Sequence, residues 1–209
     1  MEEYFVPTGY GESEYEEKRS RFIGHVQPVN TEEEARQFVT DMKKKYHDAR
    51  HNCWCYRIRE GAVRYSDDAE PQGTAGLPML EIFQREGVEN AVCVVTRYFG
   101  GVLLGTGGLL RAYQKAAKGA LEAAGVSVVR RWSEMEVVCS YSDYEKVRSE
   151  IENMGGVISD TQYSENVEIT LLISEGSEEA LDVKLRDRTA GKSKSRVTQV
   201  IDRAVPVQK

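Results

Sequence analysis

The 209-residue chain is short of cysteine, has no excess of basic charge and contains no long apolar run, and each shortage excludes a class of protein. Its four cysteines are Cys53, Cys55, Cys93 and Cys139. None forms a Cys-x-x-Cys pair and most lie inside apolar or alternating segments, which excludes a disulfide framework and points to reduced thiols. No apolar stretch approaches the ~20 residues that cross a bilayer as a helix, so no membrane association is expected. The N-terminal segment lacks the basic, apolar and small-residue regions of a signal peptide, and a cytoplasmic location is expected. Lys and Arg number 28 against 34 Asp and Glu, a formal net charge of −6. That balance argues against a protein that coats nucleic acid indiscriminately, while leaving room for local basic patches. Acids gather at Glu2, Glu3, Glu12, Glu14, Glu16 and Glu17. Bases gather at Arg186, Arg188, Lys192, Lys194 and Arg196, where Asp187 is the sole acid.

Hydrophobic residues make up 40% of the chain, enough for a packed core. Arg21–Val29 alternates as a strand does, and Thr31 with Glu34 has capping-box spacing at the start of a helix that buries Ala35, Phe38, Val39 and Met42. The aromatic-rich segment 52–60 reads as a strand, with a short partner at 62–66 beyond Gly61. Residues 66–76 hold glycine, proline and acids and read as a loop, followed by a short helix over 77–85 with Pro78 in its first turn. Ala91–Tyr98 is almost continuously apolar, as a central strand is. A glycine-rich loop over 100–108 leads into a helix packed through Leu109, Tyr113, Ala116, Ala117, Ala120, Leu121 and Ala124, ending at Gly125. Beyond Trp132 the order becomes strand, helix, strand, strand, helix, strand. Two βαβ halves meeting at a hairpin over 164–166 are the pattern of a ferredoxin-like sandwich. The chain therefore divides into domains at 1–131 and 132–209.

Five glycines in nine positions, Gly100, Gly101, Gly105, Gly107 and Gly108, imply positive φ angles and close approach of backbone. Amides at the start of the following helix, with its dipole, suit a phosphate or carboxylate, and Arg97 and Arg111 could add charge. The nucleotide fingerprints fail. Thr106 stands where a Walker loop needs Lys, and Leu110 where a dinucleotide loop needs Gly. A tight turn that lets the helix pack is the structural alternative. Arg111, Lys115 and Lys118 share one helix face, either a solvated face or a track for phosphates. Tyr98 and Phe99 could stack on bases or belong to the core. Asp67, Asp68, Glu70 and Thr74 surround a second glycine turn, where carboxylates can hold Mg²⁺ or serve as acid and base. The alternative has Asp capping the turn and Thr74 capping the next helix. His51, Cys53 and Cys55 alternate along one strand face; three ligands from one strand cannot easily close a tetrahedron, so neutral packing roles are expected and no metal site. Lys192, Lys194 and Arg196, in the basic loop of the second domain, could clamp a nucleic-acid backbone or simply be solvated.

The blocks DARHNCWCYRI (48–58), SDDAEPQGTAGLPML (66–80) and VVTRYFGGVLLGTGGLLRAY (94–113), with SRFIG at 20–24, resemble the signature blocks of the IMPACT family in its bacterial YigZ-type branch. The resemblance runs through the first domain and continues into the second. It implies an α+β chain whose N-terminal α/β sandwich contains a left-handed βαβ crossover, like domain four of elongation factor G. The implied C-terminal domain is a ferredoxin-like βαββαβ sandwich. Both kinds of domain meet ribosomal RNA in that factor, and the family's eukaryotic members regulate translation during starvation. The resemblance thus implies a non-enzymatic, RNA- or ribosome-associated regulator of translation that needs no cofactor and binds a phosphate-bearing ligand. The alternative is a nucleotide-dependent enzyme like the galactokinase and homoserine kinase type, which shares the first-domain fold, with phosphates at Gly105–Gly108 and Mg²⁺ on Asp68 or Glu70. Its ligand would be a nucleotide or another small anion. A peptidase finds no metal constellation and no triad to support it.

Overall fold

The apolar run Ala91–Tyr98 lacks alternation because both of its faces are covered, and the first part of the molecule is assembled around it. The computed structural model describes residues 3–206. The chain is mixed α+β and divides into one unit of Tyr4–Val128 and another of Val129–Arg203. The first unit holds β1 (Tyr4–Pro7), β2 (Gly11–Glu17), β3 (Ser20–Pro28), α1 (Glu32–Lys45), β4 (His51–Arg57), β5 (Val63–Ser66), α2 (Gly76–Arg85), β6 (Ala91–Tyr98) and α3 (Thr106–Ala124). Strands β2 to β6 form a sheet of order β2-β3-β6-β4-β5. Both β3 and β4 pair antiparallel with β6, so β3–α1–β4 is a crossover split by the central strand.

Alternation along β6 sends Val92 and Val94 to one face and Cys93 and Val95 to the other. On the first face, α1 packs Ala35, Phe38 and Val39 against Val92, Val94 and Tyr56. Helices α2 and α3 cover the opposite face, where Cys53, Cys55, Cys93 and Val95 meet Met79, Phe83, Tyr113 and the alanines of α3. Thr31 caps α1 by accepting from the Glu34 amide at 3.2 Å, and the Glu34 carboxylate reaches back to the Asn30 amide at 2.7 Å. A reciprocal capping box would have used the amide of Thr31 itself.

The acidic N-terminal stretch, notable in the sequence only for charge, contains two strands. Glu2 lies outside the described residues. In β2 the glutamates Glu12, Glu14 and Glu16 face outward, while Gly11, Ser13 and Tyr15 turn towards α3. No hydrophobic alternation betrays this strand because the helix lies almost on its backbone. A Cβ at Gly11 would stand 2.2 Å from the Ala124 amide nitrogen, and one at Gly24 would stand 2.4 Å from the Ala116 carbonyl oxygen. Ser13 Oγ donates to that same carbonyl at 3.0 Å. Small residues on the strands and alanines on the helix make one close-packed seam.

The second unit is built from β7 (Val126–Cys139), which begins in the first unit, then α4 (Tyr144–Asn153), β8 (Val157–Tyr163), β9 (Val167–Ser174), α5 (Glu178–Thr189) and β10 (Lys194–Pro206). β9 lies between β7 and β8 and is antiparallel to both, and β10 pairs with β7. This is the ferredoxin-like arrangement. Met135, Val137, Ile169, Leu171 and Ile173 form its core with Val147 and Ile151 of α4 and Leu181 and Leu185 of α5. Among the described residues no helix is long and apolar enough to cross a membrane.

Candidate functional site

Strand register places the first components of the site. His51 on β4 stands directly opposite Arg97 on β6, and Arg97 stands directly opposite Phe22 on β3, so the three share one sheet face in a row. The Arg97 guanidinium lies 5.5 Å from the Phe22 ring centroid and 5.6 Å from that of Phe99. Glu70 descends on this row from the loop between β5 and α2. Its Oε1 accepts from Arg97 Nη1 at 2.6 Å and from the Tyr113 hydroxyl at 2.9 Å. His51 Nε2 is 4.0 Å from the same oxygen.

The loop that carries Glu70 is held by its own acids. Asp67 accepts from the amides of Gly73, Ala75 and Gly76 at 2.8, 3.0 and 2.8 Å, closing the turn and capping α2. Asp68 accepts from Lys43 Nζ and from the Asn52 amide, each at 2.7 Å. Positive φ at Asp68 (42°) and Ala69 (66°) swings the chain so that Glu70 turns inward. Asp67 thus takes the capping role expected of this segment, and Thr74 does not cap α2. Its hydroxyl donates instead to the Pro71 carbonyl at 2.6 Å. The oxygens of Asp67 and Asp68 thus accept from amides and a lysine, the structural role open to these acids. Among the described residues no cluster of three His, Cys, Asp or Glu side chains is arranged around a metal position.

The five loop glycines have separate jobs. Gly100 is a packing glycine: its added Cβ would fall 2.0 Å from the Arg19 carbonyl carbon, and its amide donates to Ser20 Oγ at 3.1 Å. Gly101 and Gly105 have φ of 83° and 72°, a conformation that favours glycine. Gly105 is the N-cap of α3 and has no side chain to satisfy the first-turn amides. Gly107 and Gly108 lie in that uncapped first turn.

Together these elements enclose a cleft of about 410 Å³. Its polar lining is Arg50, His51, Glu70, Arg97 and Thr106, and its apolar lining includes Pro71, Phe99, Leu103, Leu104 and Leu109. Leu103 is 83% exposed and Phe99 49% exposed, so two large apolar side chains of the cleft lining face solvent. Arg97 is 6% exposed and its Nε has no hydrogen-bond partner among the described residues.

The expected site residues separate into three groups. Arg97, Glu70 and Gly105 converge on the cleft. Arg111 does not: with Lys115, Lys18, Glu17, Gly108 and Tyr15 it lines a neighbouring depression of about 130 Å³, and Leu104 borders both hollows. Lys115 Nζ donates to the Tyr15 hydroxyl at 3.2 Å. Lys118 lies further along α3, 3.9 Å from Glu122. The third group, in the second unit, has lost part of its charge to neighbours. Arg196 pairs with Glu136, Arg188 with Glu150 and Arg186 with Asp182. Lys192 and Lys194 remain exposed.

His51 is a correction to the strand reading. Cys53 and Cys55 are packing thiols as expected, and burial pushes the Cys53 thiol well above its ordinary range. His51, at the strand's start, lines the cleft instead. Tyr113 was also read as core only, yet its buried hydroxyl holds Glu70, and burial raises it far above an ordinary phenol. Phe99 is exposed in the cleft, whereas Tyr98 donates to Asp48 at 2.8 Å.

With this geometry in view, known proteins give a coherent match. Residues 18–121 match the Impact N-terminal domain, and residues 137–192 match a domain of unknown function (DUF1949). The chain is 37% identical over 195 residues to the IMPACT family member YvyE of Bacillus subtilis, covering 92% of this chain and 90% of that protein. It is 31% identical over 195 residues to the IMPACT family member YigZ of Escherichia coli, covering 91% of this chain and 96% of that protein. A solved structure described as the crystal structure of a hypothetical protein aligns with a TM-score of 0.59 at 30% identity, over 95% of this chain and 98% of that one.

Proposed function

The chain belongs to the IMPACT family, and from that premise we propose that it binds RNA of the translation machinery through its first unit and regulates translation without itself catalysing a reaction. One observation carries the reading: the uncapped N-terminus of α3, between the 410 Å³ cleft and the depression holding Arg111, Lys115 and Lys18. Free first-turn amides and the helix dipole favour a phosphate there. Arg50 in the cleft and Arg111 in the neighbouring depression add positive charge, while Phe99 and Leu103 offer apolar surface to bases. The second unit contributes less. Its sheet face opposite the core carries Glu134, Glu136 and Glu168, which repel a phosphate backbone, so of the bases expected there Lys192 and Lys194 are left to this reading.

Binding of single-stranded RNA measured by fluorescence anisotropy across a salt series tests the proposal. Arg111→Ala with Lys115→Ala should weaken binding at low salt and flatten the salt slope by about 1.4, from two lost phosphate contacts at about 0.7 each. The chain should also co-sediment with ribosomes at low salt. Absence of both RNA binding and co-sedimentation at low salt would remove the proposal.

A further inference from the structure

Three polar side chains meet on the cleft floor: Glu70 Oε1 is 2.6 Å from Arg97 Nη1 and 4.0 Å from His51 Nε2, so the carboxylate links two residues that stand opposite each other on β6 and β4. Arg97 can only donate, and its buried Nε has no partner. Glu70 takes both of its hydrogen bonds on Oε1, which leaves Oε2 as an open acceptor. His51 Nδ1 lies 2.8 Å from the Asp68 carbonyl oxygen, which can only accept, so Nδ1 carries hydrogen and the neutral ring presents Nε2 as a bare acceptor. The floor therefore reads donor, acceptor, acceptor.

We propose that the cleft recognises a single guanine nucleotide by its Watson–Crick edge; the inference rests on the RNA reading for the source of that nucleotide. Guanine presents O6, N1–H and N2–H₂, the sequence acceptor, donor, donor that complements the floor, with O6 at Arg97, N1–H at Glu70 and N2–H₂ at His51. The other bases fail at a nameable position. Uracil places its O2 acceptor against His51, and adenine and cytosine place an amino donor against Arg97. Unstacked bases are recognised in this way on single-stranded RNA, with an apolar or aromatic side chain over the ring. Phe99 and Leu103, exposed at the cleft wall, supply that surface. The nucleotide's phosphate falls to Arg50 and the first-turn amides after Gly105, which line the same cleft. A 410 Å³ volume suits one nucleotide and no more.

The discriminating experiment uses the full chain and fluorescence anisotropy with oligouridine eight-mers carrying G, A, C or inosine at the centre, and free GMP and AMP as competitors. The G eight-mer should bind about ten-fold or more tighter than the A or C eight-mer, the scale of one well-paired base edge. Inosine, which lacks the N2 amino group, should fall between. In His51→Ala the G and inosine eight-mers should bind equally, while the folded state is checked by circular dichroism. Equal affinity for all the eight-mers would overturn the guanine proposal and leave the RNA reading standing. GMP binding with the same discrimination, in a chain that ignores every eight-mer, would uphold the cleft assignment and remove RNA as the source. No binding of either probe at low salt would end the guanine proposal, and with no ribosome co-sedimentation it would end both.

Discussion

Lowering the pH from 7.5 to 5.0 should cost the first unit about 2 kcal/mol of stability through one side chain, His25. This residue is fully buried on β3. Its Nδ1 is 2.8 Å from the Tyr10 hydroxyl, which itself donates to Glu12 at 2.6 Å. The ring's Nε2 has no hydrogen-bond partner among the described residues. The groups facing it are Tyr10, just before β2, Glu12 of β2, and Tyr46 and Lys45 from the end of α1. Burial is the largest influence and disfavours the imidazolium, Lys45 acts in the same sense, and Glu12 opposes them; the result is a pKa lowered to about 4. In the unfolded chain the same group titrates near 6.5. Between about pH 6.5 and 4 the unfolded state therefore binds more protons than the folded one, and stability rises with pH. The contribution is complete above about 6.5 and is lost as pH falls towards 4. Proton linkage over that window gives the loss of about 2 kcal/mol at pH 5.0. Urea unfolding of the wild type and of His25→Asn at a series of pH values from 7.5 to 5.0 isolates the effect, since most carboxylates stay ionised there. The wild-type curve should slope and the variant's should be flatter by that amount. Parallel curves would refute the reasoning, because they would mean that the buried ring takes up its proton without unfolding.

Two glycines of one loop should respond oppositely to alanine. Gly100→Ala forces a Cβ into the backbone of Arg19 and Ser20 and should lower stability by about 2 kcal/mol or more, read from the urea midpoint. Gly107→Ala meets only Arg111 Nη1, at 3.5 Å, and should leave stability unchanged or raise it by up to about 1 kcal/mol while weakening RNA binding at the helix start. Asp67→Ala strands three amides of the β5–α2 loop and should cost about 3 kcal/mol in urea unfolding, with loss of the cleft because Glu70 is no longer positioned.

What could be read from the residues alone follows from how locally each feature is determined. The central strand over 91–98, the alanine face of α3 and the βαββαβ order of the second unit follow from periodicities contained within each segment. Strand β2 was invisible because its inward positions are Gly11, Ser13 and Tyr15, chosen for closeness to α3 and not for hydrophobicity. The buried Arg97–Glu70 pair joins residues on a strand and a loop, and no spacing rule connects them. His51 was grouped with the cysteines by alternation, which gives the face of a strand but not where along it the core stops. Arg111 was expected beside Arg97 because both flank the glycines. Five residues of helix separate Arg111 from Thr106, which rotates it well over a quarter turn away from the cleft mouth.

The pairing of Arg97 with Glu70 also divides the molecule's response to ionic strength. Their charges cancel within the cleft floor, so a base docked there is held by directional bonds that dissolved ions scarcely screen. The depression around Arg111, Lys115 and Lys18 holds only Glu17 against those three bases, keeps an excess of positive charge and would release counterions when a phosphate arrives. Rising salt should therefore strip away the indiscriminate part of the affinity first. On the guanine proposal, what persists should be the part that distinguishes one base from another, so binding should grow weaker but more selective as the solution becomes more saline.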